Sequence, residues 1–403
     1  MEVAQAGSIL SASTVHGFAD EGFGPVADAF AANLELRAET GAACAVYHRG
    51  RLVVDLYGGV ADAGNGAPWT EKTLTLGFSV SKGLMALCGY LAQQRGLLDF
   101  DQPVADVWPE FAANGKDQTL IRDLFSHRAG LVILDTDLTM DDVSAWTPVI
   151  RAIEAQRPMW KPGTSFAYHG LTYGWLTGEV LRRATGLMPG ALVAEYLTGP
   201  LGADAWIGLP AEQEHRVARM YGTNSPVLGP LWRVWPHLMP RIGREAMVRV
   251  ATLGGALPFR MVDGSANDLN SRAAHAAEIP AVNAILDARA LAKIYAAAVS
   301  PVQGPPSLSP SSIADATTTR SHGMHWPRTF TPPVVRFSTG FLTNGIPYRP
   351  LLSDTSFGHD GASGSLGFAD ADSETGFGYL NNRMSGLRDE RANSLTAALR
   401  RCL

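Results

Sequence analysis

Ser79 and Lys82 stand three residues apart in Phe78-Ser79-Val80-Ser81-Lys82. This is an S-x-x-K spacing at the start of a helix expected over 79–95, stopped by Gly96. Positions i and i+3 share one helix face, so the amine can reach the hydroxyl. The helix N-terminus also favours the negative charge that develops when that hydroxyl attacks a carbonyl. The chemistry implied is nucleophilic catalysis, with Ser79 forming a covalent acyl-enzyme and Lys82 activating it. The amine must be neutral for part of the cycle, so burial or neighbouring positive charge has to lower its pKa from about 10.4 in water. With 25 serines and 5 lysines in 403 residues, chance alone gives about 0.3 such spacings, so the surrounding sequence must carry the argument.

The elements around this pair read as a sheet split by a helical insertion. Pro25 opens a helix whose apolar residues Val26, Phe30 and Leu34 recur at helical spacing. Two β-prone runs, Ala43 to His48 and Leu52 to Tyr57, flank Arg49-Gly50-Arg51 and form a hairpin. From about residue 100 to residue 300 helical patterns dominate, among them Tyr173 to Thr185 and Ala288 to Val299. Strand-like runs return at Val334 to Phe341 and Gly376 to Leu380, and a helix near Ser385 to Arg401 closes the chain. The expected organisation is an α/β (α+β) sheet domain from 1–99 and 313–403 and a mainly helical domain from 100–312, with the active site between them. The stretch from Ser225 to Met261, rich in proline and tryptophan, suits a loop-rich flap or apolar packing.

Composition bounds the partners. A hydrophobic content of 46% and a charged content of 18% describe a compact globular chain. A formal net charge of −5 offers no basic field for a phosphate backbone, which excludes nucleic acid as a partner. Cys44, Cys88 and Cys402 are too few and too scattered for a disulfide framework or a zinc site, so a reducing compartment is expected. No signal-like start and no membrane-length apolar run is present, and a cytoplasmic protein without cofactor or metal is expected. His322-Gly323-Met324-His325 has a spacing compatible with a metal but no carboxylate or cysteine partner nearby.

Three further segments follow Ser79-Val80-Ser81-Lys82 in order. These are Leu124-Phe125-Ser126-His127-Arg128-Ala129-Gly130-Leu131, then Trp160-Lys161-Pro162-Gly163-Thr164 leading to Tyr168, then Gly358-His359-Asp360-Gly361. Together they resemble the serine β-lactamase superfamily across most of the chain, and within it the class C-like esterases called family VIII carboxylesterases. The resemblance implies the β-lactamase/penicillin-binding-protein-like fold, an antiparallel sheet flanked by helices plus a mostly helical domain. It implies that Ser79 attacks the acyl carbon, that Lys82 and Tyr168 share its proton, and that Tyr168 passes it to the leaving group. A neighbouring ammonium would lower the tyrosine pKa from about 10. His359-Asp360-Gly361 looks like the strand motif opposite the nucleophile, and the backbone amides of Ser79 and Ala362 would form the oxyanion hole. Gly361 and Gly364 would leave room for substrate against the strand.

Two departures bear on the substrate. Tyr168-His169-Gly170 places Gly170 where the family has an asparagine amide for a substrate carbonyl. His359 replaces the lysine that gives a permanent cation for a substrate carboxylate. Esters need less leaving-group protonation than amides and no such carboxylate, so a carboxylesterase acting on small acyl substrates is the expected function. A transacylase that passes the acyl group to an amine or alcohol is the alternative. β-Lactamase or D-peptidase activity, or a non-catalytic binding protein, fits these residues less well. A histidine base among His127, His169 and His359 ranks below Lys82 and Tyr168, because the nucleophile elbow of α/β-hydrolases needs G-x-S-x-G and Ser81 stands in place of its second glycine.

Overall fold

The computed structural model describes residues 15–37, 39–222, 241–304, 307–321, 334–384 and 389–403. His322 and His325, whose spacing alone suits a metal, lie outside them, as do residues 225–240 of the expected flap.

The hairpin forms as the sequence implies. Strands β2 (Gly41–His48) and β3 (Arg51–Asp62) pair antiparallel, and Gly50 turns between them with φ +74°. With β1 (Val15–Ala19), β4 (Ala67–Pro68), β8 (Leu342–Thr343), β9 (Ser356–Asp360), β10 (Leu366–Asp370) and β11 (Thr375–Asn381) they build one antiparallel sheet. Its order is β1-β3-β2-β11-β10-β9-β8, with β4 on β3. A second, three-stranded sheet joins β5 (Thr75–Leu76), β7 (Ile285–Leu286) and β6 (Ala205–Trp206) in that order.

Alternation along the strands sends side chains to two cores. Cys44, Val46, Phe368, Phe377 and Tyr379 meet α1 (Gly24–Leu36) and the C-terminal helix Arg391–Arg400 through Phe30, Leu34, Leu395 and Leu399. The opposite face, with Ala45, Phe357, Ala369 and Leu380, belongs to the main core, which continues through helices Ala288–Val299, Val80–Gln94 (α2) and Thr172–Thr185. Helix Ala288–Val299 can lie close to the sheet because small residues meet there. A Cβ added at Gly376 would sit 2.3 Å from the Ala292 carbonyl oxygen, and one at Gly378 would sit 2.4 Å from that of Ala288. This helix, which the sequence division assigned to the helical segment, therefore packs on the sheet.

Other expectations shift. Val334 to Phe341 is not a strand: its apolar residues Val335 and Phe337 turn inward to a small cluster with Phe166, Leu342 and Ile346, and apart from an isolated bridge between Phe337 and Leu342, regular sheet pairing begins only at Leu342. The last helix spans Arg391–Arg400, and Ser385, near which it was expected to begin, lies outside the described residues. The described part of the expected flap contains a helix, Arg241–Thr252, whose Arg249 donates to the Leu134 and Asp135 carbonyls and pairs with Asp137 at 2.7 Å.

Candidate active site

Ser79 is the N-cap of α2, reached through a tight turn. The preceding Phe78 adopts φ +50°, a left-handed conformation that costs a bulky residue about 1–2 kcal/mol. Its surroundings impose it. Phe78 is buried in the core, Gly77 N donates to the Ala284 carbonyl at 2.8 Å, and Ser81 Oγ donates to the Phe78 carbonyl at 2.6 Å while accepting from Ala284 N at 2.9 Å. The segment carrying Ala284 is fixed by Asn283, whose side chain donates to Ala274 and Ala277 carbonyls and accepts from Ile279 N. Ser79 itself keeps partial access to solvent.

Lys82 Nζ lies 3.1 Å from Ser79 Oγ and donates to the Ala281 carbonyl at 2.8 Å. The side chain is fully buried. Burial holds the amine well below its ordinary range, outweighing the attraction of Asp360. The Ala281 carbonyl is delivered by close packing: Gly174 of helix Thr172–Thr185 sits where a Cβ would meet Ala281 N at 2.6 Å.

Tyr168 Oη lies 2.7 Å from Ser79 Oγ, and Lys82 Nζ sits 4.9 Å from the centre of its ring. The two middle motifs hold this tyrosine jointly. Arg128 donates from Nη2 to the Gly163 carbonyl at 2.8 Å, Gly163 N donates to the Arg128 carbonyl at 3.1 Å, and Trp160 Nε1 donates to the same carbonyl at 3.1 Å. Ala167 N donates to the His127 carbonyl, and His169 N donates to His127 Nδ1, both at 3.1 Å. The phenol is not lowered as expected from a neighbouring ammonium. Burial raises it above its ordinary value, with the nearby Asp360 and Tyr348 adding to the effect, and the hydrogen bond to Ser79 opposes this only in part.

His359, on β9, comes within 6.1 Å of the Tyr168 ring, centre to centre. It is buried, Nδ1 lies 2.7 Å from the Asp360 carbonyl, and burial lowers its pKa to about 4, with Lys82 adding to the effect. It is therefore a neutral ring, with a buried Nε2 that has no hydrogen-bond partner among the described residues. The other two histidines are fixed in the scaffold. His169 Nδ1 lies 2.7 Å from the Ala167 carbonyl and Nε2 accepts from Leu131 N, and His127 packs against Tyr168, Tyr173 and Phe337. Neither is within the Ser79 hydrogen-bond set.

Ala362 is exposed at the tip of the turn joining β9 to β10. Neither its amide nor that of Ser79 donates to a backbone carbonyl among the described residues. The room expected at Gly361 and Gly364 is taken by protein rather than offered to substrate. A Cβ at Gly361 would meet the Gly77 carbonyl at 2.4 Å, and one at Gly364 would meet Asp389 Oδ2 at 1.7 Å. Gly361 thus lets the turn close on the nucleophile's own backbone. Gly170 is different, since a Cβ there would touch only Tyr168 Cε1, at 3.9 Å. Sequence reasoning missed Ala281, Ser81, Asn283 and Phe337. Only Ser81, one position before Lys82, offered a local signal.

A buried amine held below its ordinary pKa and a phenol on one serine hydroxyl, at the N-terminus of a helix, can deprotonate the serine and favour a developing negative charge. No cluster of metal-ligating side chains occurs among the described residues. No described helix is long and apolar enough to cross a membrane.

A family model described as Beta-lactamase matches residues 26–400. The esterase/beta-lactamase LipL of Mycobacterium tuberculosis is 32% identical over 374 residues, covering 92% of this chain and 83% of its own. The crystal structure of a family VIII carboxylesterase superposes with a TM-score of 0.82 at 34% identity, covering 97% of this chain and 100% of that one. EstA from Arthrobacter nitroguajacolicus Rue61a gives a TM-score of 0.79 at 31% identity, covering 95% and 97%.

Proposed function

The chain belongs to the beta-lactamase family, and from that premise we propose that it is a serine hydrolase cleaving carboxylic esters through an acyl-enzyme on Ser79. The observation that carries this reading is the buried Lys82 amine 3.1 Å from a Ser79 hydroxyl that also meets Tyr168 Oη at 2.7 Å.

In the acylation step the Ser79 Oγ–H proton passes to neutral Lys82 Nζ as Oγ bonds to the ester carbon. The carbonyl oxygen becomes an oxyanion facing the amides of Ser79 and Ala362 at the N-terminus of α2. Collapse breaks the bond to the alkoxy oxygen, which takes the Tyr168 proton, and Lys82 ammonium restores it. Because burial keeps Tyr168 protonated, it serves as the acid, and the amine is the base. Water then repeats the sequence on the acyl-enzyme and releases the acid and Ser79.

Ester rather than amide or β-lactam substrates follow from two positions. His359 is neutral and cannot offer a fixed cation to a carboxylate, and Gly170 offers no side-chain amide. LipL is named for both esterase and beta-lactamase activity, and the solved neighbour named a carboxylesterase supports the ester class. In this reading the site lies between a sheet unit from 1–99 and 313–403, with helix Ala288–Val299 packed on it, and a mainly helical unit from 100–312. Three unpaired cysteines, two of them buried, support a reducing compartment, and we place the protein in the cytoplasm.

The test is intact-protein mass spectrometry after exposure to a p-nitrophenyl ester and to a fluorophosphonate, with Ser79→Ala alongside. One adduct mapping to Ser79 with nitrophenol release is expected. Turnover retained in Ser79→Ala overturns the assignment. Product analysis with and without an added alcohol or amine separates hydrolysis from acyl transfer on the same adduct.

A further inference from the structure

The turn that carries Ala362 rests on a buried ionic cluster. Arg391, at the start of the C-terminal helix and 2% exposed, donates from Nη2 to the Ser363 carbonyl at 2.6 Å. The rest of its guanidinium is committed. Nε and Nη2 meet the two Asp389 carboxylate oxygens at 2.9 and 2.8 Å, Nη1 meets Glu39 Oε1 at 2.6 Å, and Nη2 also reaches the Arg383 carbonyl at 3.0 Å. Tyr379 Oη donates to the other Glu39 oxygen. The turn itself is short and closed: Gly361 N donates to the Ser365 carbonyl and Gly364 N to the Gly361 carbonyl, both at 2.8 Å. Gly364, at φ +94°, lies directly against the Asp389–Arg391 pair.

On the reading that the Ala362 amide polarises the acyl carbonyl, we propose that Arg391 is a positioning residue that fixes the oxyanion-binding turn by holding the Ser363 carbonyl. The geometry argues for this over general packing. Ala362 is exposed and its amide has no backbone acceptor among the described residues, so the amide's direction is set only by the peptides on either side. On one side Gly361 is tied to β10 through Ser365. On the other, the Ser363 carbonyl is a buried acceptor, and the cation it binds is held by two carboxylates on opposite sides. A planar guanidinium can reach Glu39, Asp389 and Ser363 at once, and an ammonium has no such fork. Pairing with Asp389 and Glu39 repays only part of the cost of burying the cation, and the hydrogen bond it gives the Ser363 carbonyl favours one orientation of the turn.

The test uses Arg391→Lys and Asp389→Asn in the full chain, each checked for folding by circular dichroism. Three quantities are measured with a p-nitrophenyl ester: kcat, KM and the inhibition constant of a boronic acid, whose tetrahedral Ser79 adduct places an oxygen in the oxyanion site. Loss of one donor's alignment predicts kcat lower by about 10- to 100-fold and the boronate constant raised by a similar factor, with KM within about threefold. A folded variant with wild-type kcat and boronate affinity overturns the proposal, and if Arg391→Lys does not fold, Asp389→Asn decides it. Wild-type protein that fluorophosphonate fails to label on Ser79 removes the underlying reading, and with it the proposal. Normal wild-type labelling with unaffected variants removes the proposal alone.

Discussion

Phe337 stacks on Tyr168 with ring planes 4° apart and centroids separated by 5.9 Å. Phe337 also packs against His127 at 4.4 Å, so one buried ring bears on both the phenol and the residue whose imidazole accepts the neighbouring backbone amide. Tyr168 thus meets Ser79 with one face already covered by protein.

Replacing Phe337 by leucine conserves most of the volume and should cost about 1 kcal/mol of stability. The loss of the flat support should lower kcat about tenfold or more through misplacement of the Tyr168 hydroxyl. Ester kinetics with a thermal melt test this, and unchanged kcat would show that the tyrosine holds its place without the stack.

Lys82→Arg retains a cation but not the chemistry, because a guanidinium stays protonated where burial holds the amine well below its ordinary range. The expected loss of kcat/KM is about a thousandfold or more, no better than Lys82→Ala. Arginine supporting near-normal acylation would mean that the group works as a charge and not as a base.

Ser81→Ala removes the hydroxyl that receives Ala284 N and donates to the Phe78 carbonyl. An unsatisfied buried amide should cost about 1–3 kcal/mol in urea unfolding. Because the same hydroxyl secures the left-handed turn at Phe78, fluorophosphonate labelling of Ser79 should slow as well. A stability loss with no change in labelling rate would separate the two roles.

His169 and His359 are buried and neutral, each lowered to about 4 from an ordinary 6.5. A depressed histidine contributes stability that is complete above pH 6.5 and is lost as pH falls toward 4, by about 3 kcal/mol for each ring. Glu39, pushed up to about 7 by burial, works in the opposite sense, its contribution fading as pH rises from 4.5 to 7. The comparison is therefore between slopes. Urea midpoints at pH 7.5 and 5 should differ less in His169→Asn than in the wild type, and equal differences would show that His169 does not charge on unfolding.

The pairing of Ser79 with Lys82, the hairpin around Gly50 and the helix over 288–299 were legible in the sequence. Each is set by local periodicity, by turn chemistry or by the fixed i, i+3 geometry of a helix. Tyr168, His359 and Ala362 were reached only through resemblance, since nothing local says that residue 168 meets residue 79. The run from Val334 to Phe341 misled because apolar and β-branched residues favour any half-buried extended site, and here they line the wall behind Tyr168 instead of pairing in the sheet. The polarity of the site escaped the sequence for a related reason. Whether Lys82 is discharged, and hence whether Tyr168 meets an ammonium, depends on how much water the surrounding chain excludes. The residue types were written in the sequence. The lowered pKa of the amine, the Ala281 carbonyl that anchors it and the Arg391 clamp on the Ser363 carbonyl arise only when segments hundreds of positions apart share one interior.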